Sequence, residues 1–352
     1  MKRDIQNTFF QLLRAALWNQ EPRLLVRHSA NEWDEMFSLA RQQAVVGLFY
    51  GGVSKLHDEW QPPLAFLMKL AAEAARVEEM NKTVDDVQNE LMSIFAQEGI
   101  KPLVVKGQTL GHYYPQPELR VSGDIDLYFP CDEEDARARH LIETLGLSTR
   151  MESDGSWSFY FNEVEVEVHP RVFDLMPKSK ERAIIEECGG LVTDEQGMLH
   201  LPSCCERLML NLHILKHCCG TGIRLKQLCD MAVVSAYSKG QNDKGIMTSL
   251  YRKTLVLRWS RLLDETLAQY FYLENGHDTQ KRCRRWRTAS LMKLVMNDGK
   301  RRSDWGMRAE RVRDANKKKN TVTNFVIHLP FSLFWAPYHV ILYIFILIKG
   351  NI

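Results

Sequence analysis

Two aspartates separated by one residue, Asp124 and Asp126, lie in the run GDIDL at residues 123–127. The alternation predicts a strand on which both carboxylates point to one side, while Ile125 and Leu127 point into the core. Adjacent carboxylates repel each other unless a cation lies between them. Their oxygen atoms suit Mg²⁺, with Mn²⁺ as an alternative. Most such pairs simply face water, so the residues around this pair must indicate whether it binds a cation.

Residues that suit a polyphosphate come shortly before this pair. The run VVKG at 104–107 predicts a strand that ends in a glycine turn, followed by a short helix at 108–113. A glycine there lets backbone amides approach a phosphate, and Lys106 adds positive charge. Arg120, four residues before Asp124, can hold phosphate oxygens through two parallel hydrogen bonds. We therefore expect Lys106 and Arg120 to bind a triphosphate.

A second strand is predicted by VEVEVH at 164–169. Its valines face the core, so Glu165, Glu167 and His169 share the opposite face. Transfer of a phosphoryl-type group needs an aligned, deprotonated hydroxyl and neutralised charge on the α-phosphate. We predict a two-metal site in which the two aspartates hold both ions and Glu167 binds the ion that activates the acceptor. An exposed strand face is the simpler alternative for the two glutamates.

The surrounding periodicities predict an α+β fold, with a small mixed sheet flanked by helices and with N-terminal and C-terminal helical regions. Within it, residues 156–161 and 164–169 predict a β-hairpin, and 132–146 a helix. We divide the chain into five parts: an N-terminal helical region (1–98), an α/β core (99–200), a helical region that completes a cleft (201–280), a basic segment (281–320) and an apolar tail (321–352).

Composition is that of a folded protein, with 45% hydrophobic and 26% charged residues, which excludes a disordered chain. The net charge of +2 conceals a basic stretch at 281–319, which holds fifteen Lys or Arg against four Asp or Glu. Such a stretch suits nucleic acid or an anionic membrane, and Trp286 and Trp305 can stack on bases. A solvated helix face is the alternative.

The eight cysteines show no CxxC spacing, so a zinc ribbon is not expected. In a chain of this length, scattered thiols indicate reduced, buried residues and a cytoplasmic location. The first twenty residues carry charge through their apolar stretch, which indicates an amphipathic helix rather than a signal peptide.

The tail differs from the rest because residues 321–348 contain no Lys, Arg, Asp or Glu. A bilayer span takes about twenty apolar residues, but two prolines and two histidines disfavour a simple span. We favour a segment that lies on the inner face of the cell membrane or re-enters it, with its flanking lysines near the headgroups. A C-terminal helix docked into the protein's own core is the alternative.

The order of these motifs resembles the bacterial uncharacterised nucleotidyltransferase family, within the polymerase-beta-like superfamily. The matching segments are Lys106-Gly107 with Leu110, YYPQPELR at 113–120, GDIDL at 123–127, and Glu167-Val168-His169. The resemblance spans about residues 40–270 and implies a nucleotidyltransferase sheet flanked by helices, Mg²⁺ and a nucleotide donor. It also implies that Asp124 and Asp126 are metal ligands and that Glu167 is the third carboxylate.

Two positions depart from the superfamily pattern. Gln108 follows Gly107 at the nucleotide site where serine is usual, so a hydroxyl for the triphosphate is missing. Glu167 stands where aspartate is more familiar, which lengthens the reach of the carboxylate.

The helical region also matches the family's later pattern. His213 and His217 have zinc-ligand spacing on one helix face, but without a third ligand we expect them to pack beneath the cleft. Arg224 contacts a phosphate or pairs with Asp230, and we favour the ion pair.

These features predict a nucleotidyltransferase that moves a nucleoside monophosphate from an NTP, ATP by default, to a hydroxyl or similar group. The acceptor stays open among sugars, lipid-linked glycans, small molecules, RNA and protein, and no DNA specificity is inferred. One alternative is a catalytically inactive, nucleotide-binding regulatory protein. Another is a nucleic-acid-binding protein that uses residues 281–319.

Overall fold

The computed structural model describes residues 2–24, 26–152, 154–194, 197–240, 244–272, 285–301 and 310–349. The first part of the chain is helical, as the periodicity predicts: α1 (Arg3–Leu17), α2 (Ala30–Gln42), α3 (Val46–Val53) and α4 (Leu64–Gln97). A capping box at Ser29 and Glu32 starts α2, because each side chain satisfies a free backbone N–H of the first turn. Gly99 follows α4 with φ of 64°, a left-handed conformation that ends the helix.

One mixed sheet of seven strands has the order β3-β4-β5-β2-β1-β7-β6. The strands are β1 (Leu103–Val104), β2 (Asp124–Tyr128), β3 (Arg150–Met151), β4 (Trp157–Phe161), β5 (Val164–His169), β6 (Val192–Thr193) and β7 (Leu199–His200). The predicted hairpin is β4–β5, whose turn residues Asn162 and Glu163 have φ of 46° and 66°. Central β2 pairs parallel with β5 and antiparallel with β1.

The helices that follow β2 are α5 (Asp132–Thr144), α6 (Glu181–Glu187), α7 (Ser203–Cys219), α8 (Leu225–Gly240), α9 (Lys244–Lys253), α10 (Leu257–Tyr270), α11 (Arg285–Arg301), α12 (Glu310–Trp335) and α13 (Pro337–Lys349). With the sheet between them, they confirm the predicted α+β class. The short strands β3, β6 and β7 were not expected, because two residues carry no readable alternation.

Two apolar cores lie on either side of this arrangement. In one, Ile125, Val166 and Phe95 join the inner face of the sheet to α4 and α5. The other is made by helices from both ends of the chain; for example, the rings of Phe10 and Phe271 lie 5.8 Å apart. The N-terminal and later helical regions therefore share a core, and the polar face of the sheet is left for a site.

The tail docks onto α7 through one face. His328 is fully buried, with its ring nitrogens 2.5 Å from the carbonyl oxygen of Cys218 and 3.0 Å from Asp298 Oδ1. On the opposite face of the tail, the side chains of Phe345 and Ile348 are exposed. The face of the tail that contacts α7 is therefore docked into the protein's own core, as the alternative predicts. Contact of the outer face with a membrane stays a prediction. In the part of the chain that the structure describes, no helix has the length and apolar character to span a bilayer.

Part of the basic segment, at 281–284 and 302–309, lies outside the described residues, and Trp305 with it. Trp286 is in α11 and is exposed. The prediction of a nucleic-acid surface at 281–319 therefore stays a prediction.

Close packing at Gly47 in α3 fixes the segment that carries Arg120. A Cβ atom at Gly47 would lie 2.2 Å from the carbonyl oxygen of Leu119. We expect Gly47→Ala to lower the free energy of unfolding by about 1–3 kcal/mol through overpacking, even though alanine is the better helix former. Denaturant unfolding followed by circular dichroism measures the change.

The matched control is Gly245→Ala in α9, where an added Cβ meets nothing within 4 Å. This change should be neutral or stabilise by about 0.5–1 kcal/mol. Equal stability of the two alanine variants would contradict the close contact between α3 and Leu119.

Candidate active site

The acids of the site come from two neighbouring parallel strands. In the register of β2 with β5, Asp124 lies opposite Glu165 and Asp126 opposite Glu167. The predicted adjacency of the acid-bearing strands is thereby confirmed. Ligand atoms of Asp126, Glu167 and His169 all lie within 4.8 Å of one another. The donor set, two carboxylates and one imidazole, fits a divalent cation.

Asp126 is the most deeply embedded of these acids. Its Oδ1 lies 2.5 Å from Nε2 of His169 and 3.7 Å from Nζ of Lys106. Burial would raise the pKa of Asp126, but the charge of Lys106 and the hydrogen bond with His169 outweigh burial and lower it. Asp126 is therefore an anion, ready to bind a cation.

Asp124 stands at the outer end of the same strand face and is half-buried. It is not a member of the compact group of three ligands. Burial and then the negative charge of Asp126 raise the pKa of Asp124. This crowding of negative charge is what a bound cation would relieve.

The glycine turn brings Lys106 to the acids through a strained backbone. Lys106 has φ of 60° and ψ of −139°, and Gly107 follows with φ of 45°. A lysine in this region costs about 1–3 kcal/mol, and such strain clusters at functional sites. Nζ of Lys106 lies 3.2 Å from Nε2 of His169. The short helix predicted after the turn is the 3₁₀ helix Gly107–Tyr113.

Arg120 is buried and held by Asp230 of α8. Its Nε and Nη2 donate to the two carboxylate oxygens at 2.7 and 3.0 Å, and the hydroxyl of Tyr114 donates to Oδ1 at 2.6 Å. Arg120 and Tyr114 are the partners that the structure shows for this carboxylate, and the pair between Arg224 and Asp230 stays a prediction. The Nη1 atom of Arg120 is buried without a hydrogen-bond partner among the described residues.

Gln108 does not turn its side chain into the site. Its Nε2 donates to the carbonyl oxygen of Asn81 in α4 at 3.1 Å, so only its backbone stands near the glycine turn. The place of Gln108 at a nucleotide site stays a prediction, and it rests on the backbone of the glycine turn.

A cavity of about 700 Å³ opens over the acids, between the sheet and helices α7 and α8. Its basic side chains are Lys106, Arg120, Arg150, Lys216, Arg224 and Lys226, and its acids are Asp124, Asp126, Glu152, Asp154, Glu167 and Asp230. Thr321 and Tyr343 of the tail helices also line it. Elements from distant parts of the sequence thus line the cavity.

Sequence reasoning missed Lys216 and Lys226. Lys216 donates to Oδ1 of Asp174 at 2.8 Å, and His213 lies 3.0 Å from Oδ2 of the same carboxylate. The spacing of Lys216 from His213 places both on one helix face, which was a usable signal. Lys226 lies in the first turn of α8, and its charge acts on both aspartates of β2. No sequence pattern singled it out.

The two histidines of α7 lie at the cavity, as the packing interpretation predicts. Nε2 of His213 lies 3.0 Å from Nε2 of His217, and each ring's other nitrogen contacts a protein oxygen, on Asp174 and Thr221. Neither belongs to a three-residue metal-binding group in the described residues. The zinc alternative gains no support.

Paired acids on a sheet face, below a cavity lined by both basic and acidic side chains, are compatible with nucleotidyl transfer. A family model described as "Uncharacterised nucleotidyltransferase" matches residues 29–270. The chain belongs to this family, and the membership supports nucleotidyltransferase activity. No match to a curated protein or to a solved structure was found.

The buried pair of Arg120 and Asp230 offers a direct test of how the site is held. In Asp230→Asn the guanidinium loses its counter-charge while staying buried. We expect the free energy of unfolding to fall by about 3–5 kcal/mol, measured by denaturant unfolding at neutral pH.

Asp34→Asn is the matched control, because Asp34 pairs with Lys69 at 2.9 Å where both side chains are more than half exposed. This change should cost less than about 1 kcal/mol. A loss from Asp230→Asn as small as that of the control would contradict a buried, charge-compensated Arg120.

Proposed function

We propose that this chain transfers a nucleoside monophosphate from an NTP, with ATP as the default donor, to a hydroxyl or similar group of an acceptor. The observation that carries the proposal is the convergence of Asp126, Glu167 and His169, beside Asp124, under a cavity that also carries basic side chains. In the transfer, a bond forms between the acceptor oxygen and the α-phosphorus. The bond from that phosphorus to the bridging oxygen breaks, pyrophosphate leaves, and the hydroxyl proton passes to solvent.

The proposed metal ligands are Asp124, Asp126 and Glu167, with Mg²⁺ as the cation and Mn²⁺ as the alternative. Carboxylate oxygens are the ligands that these ions prefer. When bound, the cations neutralise charge on the phosphates and favour the deprotonated acceptor hydroxyl. His169 keeps the Asp126 carboxylate oriented, and Glu167, whose side chain is 42% exposed, faces the side from which an acceptor arrives.

The triphosphate is proposed to lie against the basic wall. The backbone amides of the turn at Gly107 can bind a phosphate, and Lys106 adds positive charge beside them. The unpartnered Nη1 of Arg120 is a donor for a phosphate oxygen, since Asp230 already uses the other two nitrogens. Lys226 and Arg224 line the same cavity and extend the positive field toward the leaving pyrophosphate.

The acceptor stays open among sugars, lipid-linked glycans, small molecules, RNA and protein. The outer face of the tail supports a peripheral location on the inner face of the cell membrane, because Ile341, Ile344, Phe345 and Ile348 are exposed there. Apolar side chains of this kind can enter the boundary between headgroups and acyl chains.

A second candidate is a regulatory protein that binds the nucleotide without turnover. The observation that favours it is the side chain of Gln108, which bonds to the backbone of Asn81, so that position 108 offers no side-chain donor to the triphosphate.

The transfer proposal predicts loss of activity when the aspartates are neutralised. Purified protein is incubated with each α-labelled NTP, Mg²⁺ and cell extract, and labelled acceptors are counted after separation by size. We expect Asp124→Asn and Asp126→Asn to reduce labelling by about 100-fold or more, since the charge on the phosphates is then no longer neutralised. Asp34→Asn, remote from the site, should label like the unmodified protein.

Thermal unfolding with and without Mg-ATP separates the two candidates. Saturating nucleotide at about 100 times its Kd stabilises a binding protein by about 2.7 kcal/mol. Stabilisation without any labelled product, for all four NTPs, would favour the regulatory protein. Undiminished labelling by both asparagine variants would refute the metal-dependent mechanism.

A further inference from the structure

Three cysteines that are not part of the acid site lie close together. Cys188 caps the C-terminal end of α6, and Cys204 and Cys205 lie in the first turn of α7. Their sulfur atoms all lie within 4.8 Å of one another, and all three thiols are free. Neither the sequence motifs nor the proposed transfer chemistry gives them a role.

We propose that Cys188, Cys204 and Cys205 form a binding site for a thiophilic d¹⁰ cation, with Zn²⁺ as the physiologically common member of that class. Zinc binds thiolate sulfur at about 2.3 Å, which places tetrahedral ligands about 3.8 Å apart. The sulfur–sulfur distances, which are at most 4.8 Å, therefore need to shorten by at most about 1 Å. Side-chain rotation without backbone rearrangement supplies a movement of this size.

The burial of the group suits a three-thiolate site with one open position. Cys204 and Cys205 are buried, with 5% and 0% exposure, while Cys188 is partly exposed. The cation can thus enter from the side of Cys188, and water completes the fourth position there. Buried thiols at the other positions limit hydration and favour soft ligation.

Cys204 and Cys205 lie in the first turn of α7, where the positive end of the helix dipole favours the thiolate form. Binding of Zn²⁺ by three thiols releases three protons and leaves a site of net charge −1, so the affinity rises with pH.

The position indicates a structural role. The cation would fasten the C-terminal end of α6 to the N-terminal end of α7, the helix that carries Lys216 and His213 to the cavity wall. The chain between these ends, residues 189–202, contains the two short strands β6 and β7, which bury little by themselves. A metal link there stabilises the base of α7 whether or not the transfer proposal holds.

Cadmium is the sharpest probe, because its thiolate complexes absorb in the ultraviolet and carboxylate complexes do not. Reduced, full-length protein is titrated anaerobically with Cd²⁺, and then with Zn²⁺ against a chromophoric chelator. We expect one equivalent of thiolate-bound Cd²⁺ per chain, counted by the absorbance, and one equivalent of Zn²⁺ that displaces it. Cys188→Ser and Cys204→Ser should each lose the absorbance, and zinc affinity should fall by more than about 100-fold, beyond what loss of a mere hydrogen-bond partner of a ligand costs.

Two controls keep the result interpretable. Cys131→Ser removes a partly exposed free thiol elsewhere and should bind like the unmodified protein. Asp126→Asn should also keep the cadmium absorbance, which separates this site from the acid site. Circular dichroism without metal verifies that the serine variants are folded, and Cys188→Ser, at the partly exposed position, is the milder of the two.

Three results would overturn the inference. One is the lack of a stoichiometric cadmium band in freshly reduced protein. Another is a band that persists in both folded serine variants. The third is peptide mapping that finds Cys188 joined by a disulfide to Cys204 or Cys205 even after mild reduction, because a disulfide removes two of the three ligands.

Discussion

The carboxylates on the β2–β5 face repel one another, and the surrounding structure must compensate this repulsion. Parallel pairing puts Asp126 opposite Glu167 and leaves Asp124 beside them, in a place where burial already disfavours negative charge. The apolar core beneath the sheet keeps these strands from separating. Compensation comes from Lys106 and His169, and the strained backbone of Lys106 is the local cost of placing its ammonium group at the acids.

The opposite wall is built from the helices, and it depends on two further charge-compensated groups. Asp230 holds Arg120 and Tyr114, while Asp174 holds Lys216 and the ring of His213. These two carboxylates compensate the charges of Arg120 and Lys216, which would otherwise be costly to remove from water. The helices that carry these residues pack against helices from the beginning and the end of the chain. A cavity of this shape therefore requires nearly the whole chain.

Much of the fold could be predicted where the chain has a long, regular period. The alternation of VEVEVH and DIDLY marks strands with one apolar face, and the spacing of apolar residues marks α4 and α7. The short strands β3, β6 and β7 could not be found in this way, because pairing with a neighbour defines them rather than their own residues. Arg120 reaches the carboxylate of Asp230 across 110 residues, and no local pattern predicts a contact of that kind.

The sequence by itself determined which side chains share a strand face, because alternation is a local property of extended backbone. The shared face of Asp124 with Asp126, and that of Glu165 with Glu167 and His169, were predicted on that basis. Only the tertiary structure decided which groups meet across distant segments: the fixing of Arg120 by α8, the turning of Gln108 to α4, and the gathering of Cys188 with Cys204 and Cys205. Such contacts depend on how helices and sheet pack, and packing is set by the sum of many burial terms that no short motif contains.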